Sequence, residues 1–252
     1  MPGFTLVEML VAMAIVAILA SIAFPIFVKA KQTAQISECL SNMRQIGAGL
    51  DMYLDDNGGF FPAAVPWGSP SYWKKPENGG SKTIQELLWR YVRNGMVPGK
   101  NGIYDQPGVF ACPSDLGIPR EFDGLNGVRA GKPVWRYSGC SYEYYASNQD
   151  DWLNWDKGHH KVPWTGLSPE VRIGSSRERI GAPRHAVVAP TRKAVLGDTW
   201  FWHMGDQIPD GLLAWRNTLF ADGHAKRVKG SYHIQARIEQ LTRWHTYIET
   251  DR

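Results

Sequence analysis

The chain has 252 residues and a formal net charge of +4, with 43% hydrophobic and 21% charged residues; such proportions exclude a disordered chain and one embedded in lipid throughout. Its 28 Lys and Arg are spread along the sequence without a basic block that could grip phosphates, so no nucleic-acid partner is expected. The 26 Gly and 16 Pro point to many turns, and three Cys can close one disulfide at most. At the front, the stretch from Met9 to Val28 carries no charge in 20 residues. At about 1.5 Å per residue it would span roughly 30 Å, the hydrocarbon thickness of a bilayer. A core helix seldom needs so long an uncharged run. Ser21 and Ala23 form a small-x-small step before Phe24, the pattern of a secretory cleavage site, but no Lys or Arg precedes the run. A retained membrane helix is the third reading, and the residues in front of the run bear on it.

Those residues are Met1-Pro2-Gly3-Phe4-Thr5-Leu6-Val7-Glu8. A carboxylate at the start of a membrane segment is costly unless a cation pairs with it. A cut after Gly3 would free an amine on Phe4, one helical turn before Glu8. The order Gly3-Phe4-Thr5-Leu6-Val7-Glu8, followed directly by an apolar helix, resembles the cleavage and methylation signature of type IV pilins and type II secretion pseudopilins. The resemblance implies that prepilin peptidase cuts between Gly3 and Phe4 and methylates the Phe4 amine, and that Glu8 is the assembly carboxylate. Residues 1–3 then read as a leader remnant and 4–28 as the transmembrane and assembly helix. The implied partners are the prepilin peptidase, other pilin or pseudopilin subunits, the inner-membrane assembly platform and the lipid bilayer. The implied place is the bacterial inner membrane, crossed once with the head outside the cytoplasm, and then a periplasmic pseudopilus or a cell-surface filament. Lys29 and Lys31 lie beyond the run, where the positive-inside bias alone would favour the opposite orientation.

Past Val28 the helical signal continues in another form. Ile36, Leu40, Met43, Ile46, Leu50 and Leu54 recur every three or four residues among polar ones, an amphipathic helix with one apolar stripe. It is assigned to residues 29–56. Pro25 lacks an amide proton and predicts a kink. Asp55-Asp56-Asn57-Gly58-Gly59 stops the helix; Asp55 to Asn57 could be metal ligands, but a turn with Asx bonds explains them as well. Leu50 to Pro62 is similar to the stretch that closes the long helix in major pseudopilins. The expected fold is α+β: a long kinked N-terminal helix, membrane half then amphipathic half, packed on a loop-rich pilin-like head (57–252) with a small antiparallel β-sheet.

Within the head, Thr83 to Arg93 reads as a short helix, and Ala186-Val187-Val188 and Ala194-Val195-Leu196 as short strands. Thr218 to Ala221 and Ala225 to Val228 flank Asp222-Gly223-His224, a hairpin signal because Gly accepts the positive φ of such turns. Phe110-Ala111-Cys112-Pro113-Ser114-Asp115 together with Leu219 to Lys226 resembles a large bacterial class of pilin-like proteins with an Asp-Gly-His tail. That class carries a His ten residues before the Asp, where this chain has Leu212.

Catalytic motifs are absent from the sequence: no nucleophile elbow, P-loop, dinucleotide fingerprint or His-Glu-x-x-His. No enzyme is expected. His159 and His160 are adjacent and so share no helix or strand face. Asp198, Asp206, Asp210 and Asp222 offer oxygen donors suited to calcium, which major pseudopilins hold in a head loop, but their spacing matches no EF-hand; no other cofactor is expected. Cys112 and Cys140, 28 residues apart, are the disulfide candidates, a bridge that would contribute about 3–4 kcal/mol; Cys39 reads as a small buried residue. Eleven Trp would supply core area to a loop-rich head, or a sugar-stacking face built from Trp152, Trp155, Trp200 and Trp202. The function expected is a prepilin-like structural subunit of a type II secretion pseudopilus or a type IV pilus-like filament. The rival is a secreted, Trp-rich carbohydrate-binding protein that loses its first 23 residues as a signal.

Overall fold

The computed structural model describes residues 5–65, 67–75, 82–92, 103–105, 108–145, 170–173, 176–179, 181–200, 202–204 and 215–229. One helix, α1 (Leu6–Asp56), runs for 51 residues. It is long because Ala, Leu, Ile and Met dominate its first half and the single Pro25 stands inside it without ending it. Every residue from Thr5 to Ala34 is exposed. Among the described residues, α1 is the helix long and apolar enough to cross a membrane.

Burial begins at Cys39 and recurs at Met43, Ile46, Leu50 and Leu54, so the apolar stripe meets the head where the sequence places it. The helix ends at Asn57, whose Nδ2 donates to the Tyr53 carbonyl at 2.8 Å, and the Gly59 amide donates back to Leu54 O at 2.7 Å. Gly58 and Gly59 hold φ of +62° and +80°, the left-handed conformation that closes a helix end without a Cβ penalty. Asp55 pairs with Arg184 at 3.8 Å. Residues 55–57 therefore form a terminating turn.

The stripe lies on a four-stranded antiparallel sheet made of β3 (Tyr142–Tyr144), β6 (Ala194–Asp198), β7 (Trp215–Phe220) and β8 (Ala225–Lys229), in the order β3-β6-β7-β8. All five residues of β6 are buried, as expected of an inner strand covered on both faces. The β7–β8 hairpin turns at residues 221–224: Gly223 holds φ +86°, its amide donates to Phe220 O, and Asp222 Oδ1 accepts the His224 amide at 3.2 Å. Around this sheet lie two-residue strands β1 (Ala64–Val65) and β2 (Lys82–Thr83), paired in parallel, and short helices α2 (Pro70–Trp73), α3 (Ile84–Leu88) and α4 (Trp135–Ser138). A separate hairpin joins β4 (Glu170–Ile173) to β5 (Ser176–Arg179). The α+β architecture is as expected from the sequence.

Two local expectations are corrected. The 186–188 segment is no strand: Arg184–Ala186 form a 3₁₀ turn, because the preceding residues are strapped to the helix exit through Phe61 N to Ala182 O and Arg184 N to Gly59 O. Pro183 and Pro190 also withhold two of the donors a ladder would need. The helix expected over 83–93 is shorter, Ile84–Leu88, started by a Thr83–Glu86 capping box; Arg93 lies outside the described residues.

Close approach of helix and head depends on two small residues. A Cβ on Gly47 would stand 3.0 Å from Leu219 Cδ1 and 3.3 Å from Gly223 O, and one on Gly49 would collide with Val92 Cγ2. Gly49→Ala is expected to lower stability by about 1–2 kcal/mol despite the helix propensity gained, because overpacking outweighs it. Thermal or urea unfolding of the single variant and of Gly49→Ala with Val92→Ala checks this: the second change should restore most of the loss.

Candidate functional site

The N-terminal end of α1 is built from residues 5–8. Thr5 caps the helix and Glu8 completes a capping box: the Glu8 carboxylate accepts the Thr5 amide at 2.9 Å and the Thr5 hydroxyl at 2.7 Å, while the Glu8 amide donates to Thr5 Oγ1 at 3.3 Å. A carboxylate in the first turn also faces the positive end of the helix dipole. Gly3 and Phe4 lie outside the described residues. Beyond the cap the apolar face is bare, with Leu6 75%, Phe24 71% and Phe27 68% exposed. A surface that long and apolar is stable only in lipid or against other helices.

Where α1 enters the head, a loop clasps it. Gln35 Nε2 donates to Pro113 O at 3.3 Å, Cys39 is bonded to Cys112 with Cα atoms 5.3 Å apart, and Asn42 Nδ2 donates to Ala111 O at 3.1 Å. Successive turns of helix thus meet successive residues of the Phe110–Asp115 loop, antiparallel. This corrects the disulfide assignment: Cys112 pairs with Cys39, not Cys140. Cys140 is a buried free thiol held between the Tyr142 amide and carbonyl, both at 3.3 Å from its sulfur, and burial pushes it up to about 12. Such a thiol is inert. The signal for Cys39 was its place on the apolar stripe, between Ile36 and Met43.

The same loop is anchored by Asp115. Its Oδ1 accepts the Gly117 and Val134 amides at 2.8 and 3.0 Å, and its Oδ2 accepts Trp135 N at 3.2 Å and Ser141 Oγ at 2.7 Å. Burial outweighs these four donors and pushes the carboxyl up to about 6. Ser141 Oγ in turn accepts the Cys112 amide at 2.9 Å.

Behind Cys112 stands a second buried set. His203 Nε2 lies 3.4 Å from Cys112 Sγ, 3.4 Å from Asp198 Oδ2 and 2.8 Å from Asn217 Nδ2, and the Asn217 amide donates to Asp198 Oδ2 at 2.8 Å. Donation from the Asn217 side chain requires an unprotonated Nε2. Burial pushes His203 down to about 4 and Asp198 up to about 7. His203 was not singled out in the sequence, since a lone His on a 3₁₀ turn (Trp202–Met204) has no local pattern.

Of the four candidate calcium aspartates, Asp198 and Asp222 lie among the described residues and are engaged separately. Asp198 is fully buried in the His203 set, while Asp222 is spent on its own turn, accepting from the His224 amide and lying 2.5 Å from His224 Nδ1. Asp206 and Asp210 lie outside the described residues, as do His159, His160, Trp152, Trp155 and Leu212. Trp200 and Trp202 form no shared strand face: Trp202 starts the 3₁₀ turn, is 7% exposed and donates Nε1–H to Gly117 O at 2.9 Å, and Trp200 packs on Phe122 with ring centroids 5.3 Å apart. Trp202 is core, and Trp200 is a partly buried indole packed against it.

Two predictions follow from this geometry. Peptide mapping without reduction should find Cys39 linked to Cys112 and Cys140 unlinked; because the bond closes a 73-residue separation, Cys39→Ser should cost about 4 kcal/mol of unfolding free energy on the chain-entropy model. For pH, the Asp198–His203 pair holds one proton between about pH 4 and 6.5 whether folded, on the carboxyl, or unfolded, on the imidazole, so it contributes no slope. Asp115 does: its carboxyl pKa, raised to about 6 by folding, stabilises the head below pH 4 and that gain is lost as pH rises through about 6. The pH-dependent part is on the order of 2–3 kcal/mol, read as the difference in urea midpoints at pH 4 and pH 7 between the wild-type chain and Asp115→Asn.

Residues 2–24 match the family model described as the prokaryotic N-terminal methylation motif. Over 138 residues the chain is 27% identical to the type II secretion system core protein G of Klebsiella pneumoniae, covering 52% of this chain and 96% of that protein. Over 129 residues it is 29% identical to the protein of the same name from Pseudomonas aeruginosa, covering 48% of this chain and 91% of that one. No solved structure gives a significant match. The chain thus carries the prokaryotic N-terminal methylation motif at its front and, through about half its length, is similar to the type II secretion system core protein G of two bacteria.

Proposed function

We propose that the chain is a prepilin-like structural subunit, cut between Gly3 and Phe4, N-methylated on Phe4 by prepilin peptidase, and assembled through its N-terminal helix into a type II secretion pseudopilus or a type IV pilus-like filament. The observation that carries the reading is the union of the methylation motif with a helix whose residues 5–34 are all exposed while its second half is the spine of a folded head. Residues 4–28 then span the inner membrane before assembly and pack on neighbouring helices after it; residues 29–56 join them to the head, 57–252. The head sits outside the cytoplasm, where the Cys39–Cys112 bond is stable. The partners are the peptidase, other subunits and the membrane assembly platform, and the role is mechanical rather than catalytic.

Glu8 has two jobs in this reading. In the single chain its carboxylate is occupied by Thr5, which lessens the cost of placing it at the edge of a membrane. In the filament it exchanges that contact for the methylated amine of Phe4 on a neighbour, a charge pair in a low-dielectric setting. Glu8→Gln separates the two, since Gln at this position of a capping box still accepts from the N-cap amide but carries no charge. The variant is expected to insert and be processed normally, shown by a mass beginning at N-methylated Phe4, and to be lost from sheared filaments by at least tenfold. Undiminished incorporation would remove the assembly role, and a wild-type mature chain beginning at Phe24 would remove the whole reading.

A further inference from the structure

We propose that Cys39, Cys112 and His203, with Asp198 beside the imidazole, form a binding site for a thiophilic divalent cation, zinc above all, that takes the place of the disulfide when the cysteines are reduced. The inference concerns the head alone and stands whether or not the chain builds filaments.

The geometry is that of a ligand set. The two sulfurs and His203 Nε2 all lie within 4.8 Å of one another. Cys112 Sγ and Asp198 Oδ2 are each 3.4 Å from His203 Nε2. Around tetrahedral zinc, bond lengths of about 2.0–2.3 Å place neighbouring ligand atoms about 3.3–3.8 Å apart. The three donors come from the start of the helix–head contact, the clasping loop and the 3₁₀ turn after β6, with Asp198 next to them at the end of β6; all four side chains are buried, with 1% of His203 and none of Asp198 exposed.

A disulfide does not account for this company. Its sulfurs are weak acceptors that need neither an imidazole nor a carboxylate beside them. Yet Asp198 Oδ1 is buried with no hydrogen-bond partner, and so is Asn217 Oδ1 next to it. Orphaned buried oxygens carry a desolvation cost, and positive charge beside His203 would offset part of it for the Asp198 carboxylate. Charge is also provided for. Two thiolates balance a divalent ion and the nearby Asp198 carboxylate adds one negative charge; the Arg227 guanidinium donates to the His203 carbonyl and that of Arg216 to the Asp198 carbonyl, each at 3.4 Å. Asn217, which holds His203 Nε2 and Asp198 Oδ2 in the metal-free chain, would act from the outer shell.

The interconversion balances simply. A dithiol reductant passes two electrons and two protons to the Cys39–Cys112 bond and becomes a disulfide itself, leaving two thiols. The cation then binds both sulfurs and expels their protons, with any proton on Asp198, to solvent. The helix stays tied to the loop in either state, by a covalent bond or by coordination.

The test uses the full chain in detergent with Cys140→Ala, so that only two thiols remain. Oxidised and anaerobically reduced samples are titrated with cobalt(II), whose visible spectrum reports tetrahedral geometry and whose ultraviolet charge-transfer band reports thiolate ligation. The reduced chain should bind one equivalent with both signatures and release it to zinc; the oxidised chain should show neither. His203→Ala should abolish the tetrahedral spectrum and Asp198→Asn weaken binding at least tenfold, with circular dichroism confirming that each variant is folded. Failure of the reduced chain to show tetrahedral cobalt overturns the site, as does a spectrum unchanged by His203→Ala. If a variant does not fold, the comparison of oxidised with reduced wild-type-ligand chain decides alone.

Discussion

The structure depends on a single helix keeping two environments apart along its length. One stretch of α1 offers apolar side chains on every side and the next offers them on one stripe, yet the backbone is the same uninterrupted rod. Composition changes within the helix at Lys29, and the head takes hold a turn or two further on, through the loop that grips Gln35, Cys39 and Asn42. Among the described residues, much of the head serves that grip or the stripe beyond it. Asp115 fixes the shape of the loop through four donors, Ser141 ties the loop to the sheet, and β7 and β8 supply the floor on which Met43 to Leu54 lie.

Much of this was legible from sequence because it is periodic or punctuated. The uncharged run, the three-to-four spacing of Ile36 to Leu54, the Asn-Gly-Gly stop and the Asp222-Gly223 hairpin are local patterns with local causes. The site at Thr5–Glu8 was legible for the same reason, as a short fixed order of residues in front of an apolar helix. The capping box itself was visible only in part: Glu8 stood out for its charge, and Thr5 gained its meaning from the three hydrogen bonds that join them.

What escaped the sequence is what depends on distant segments meeting. Cys39 and Cys112 are 73 residues apart, and Cys39 reads in sequence as one more small residue on the apolar stripe; its pairing depends on the clasping loop running antiparallel along α1. His203 and Asp198 belong to that meeting too; nothing local pairs them, and their pKa shifts come first from burial, with the Arg227 charge pushing His203 further down. The indoles of Trp200 and Trp202 were ambiguous for the opposite reason: aromatic residues look alike whether they stack on a ligand or fill a core, and only the 3₁₀ turn that rotates Trp202 inward distinguishes them.

The clasp also fixes height. Hydrogen bonds from Gln35 and Asn42 could re-form if the head slid one turn, about 5.4 Å, along the helix, because a helix presents similar faces at each turn. The covalent link at Cys39 forbids that slip. In any assembly stacked through the N-terminal helices, the covalent bond at Cys39 would therefore set the level of the head above its helix, and the packed stripe beyond it, with its close fit at Gly47 and Gly49, would share the axial load.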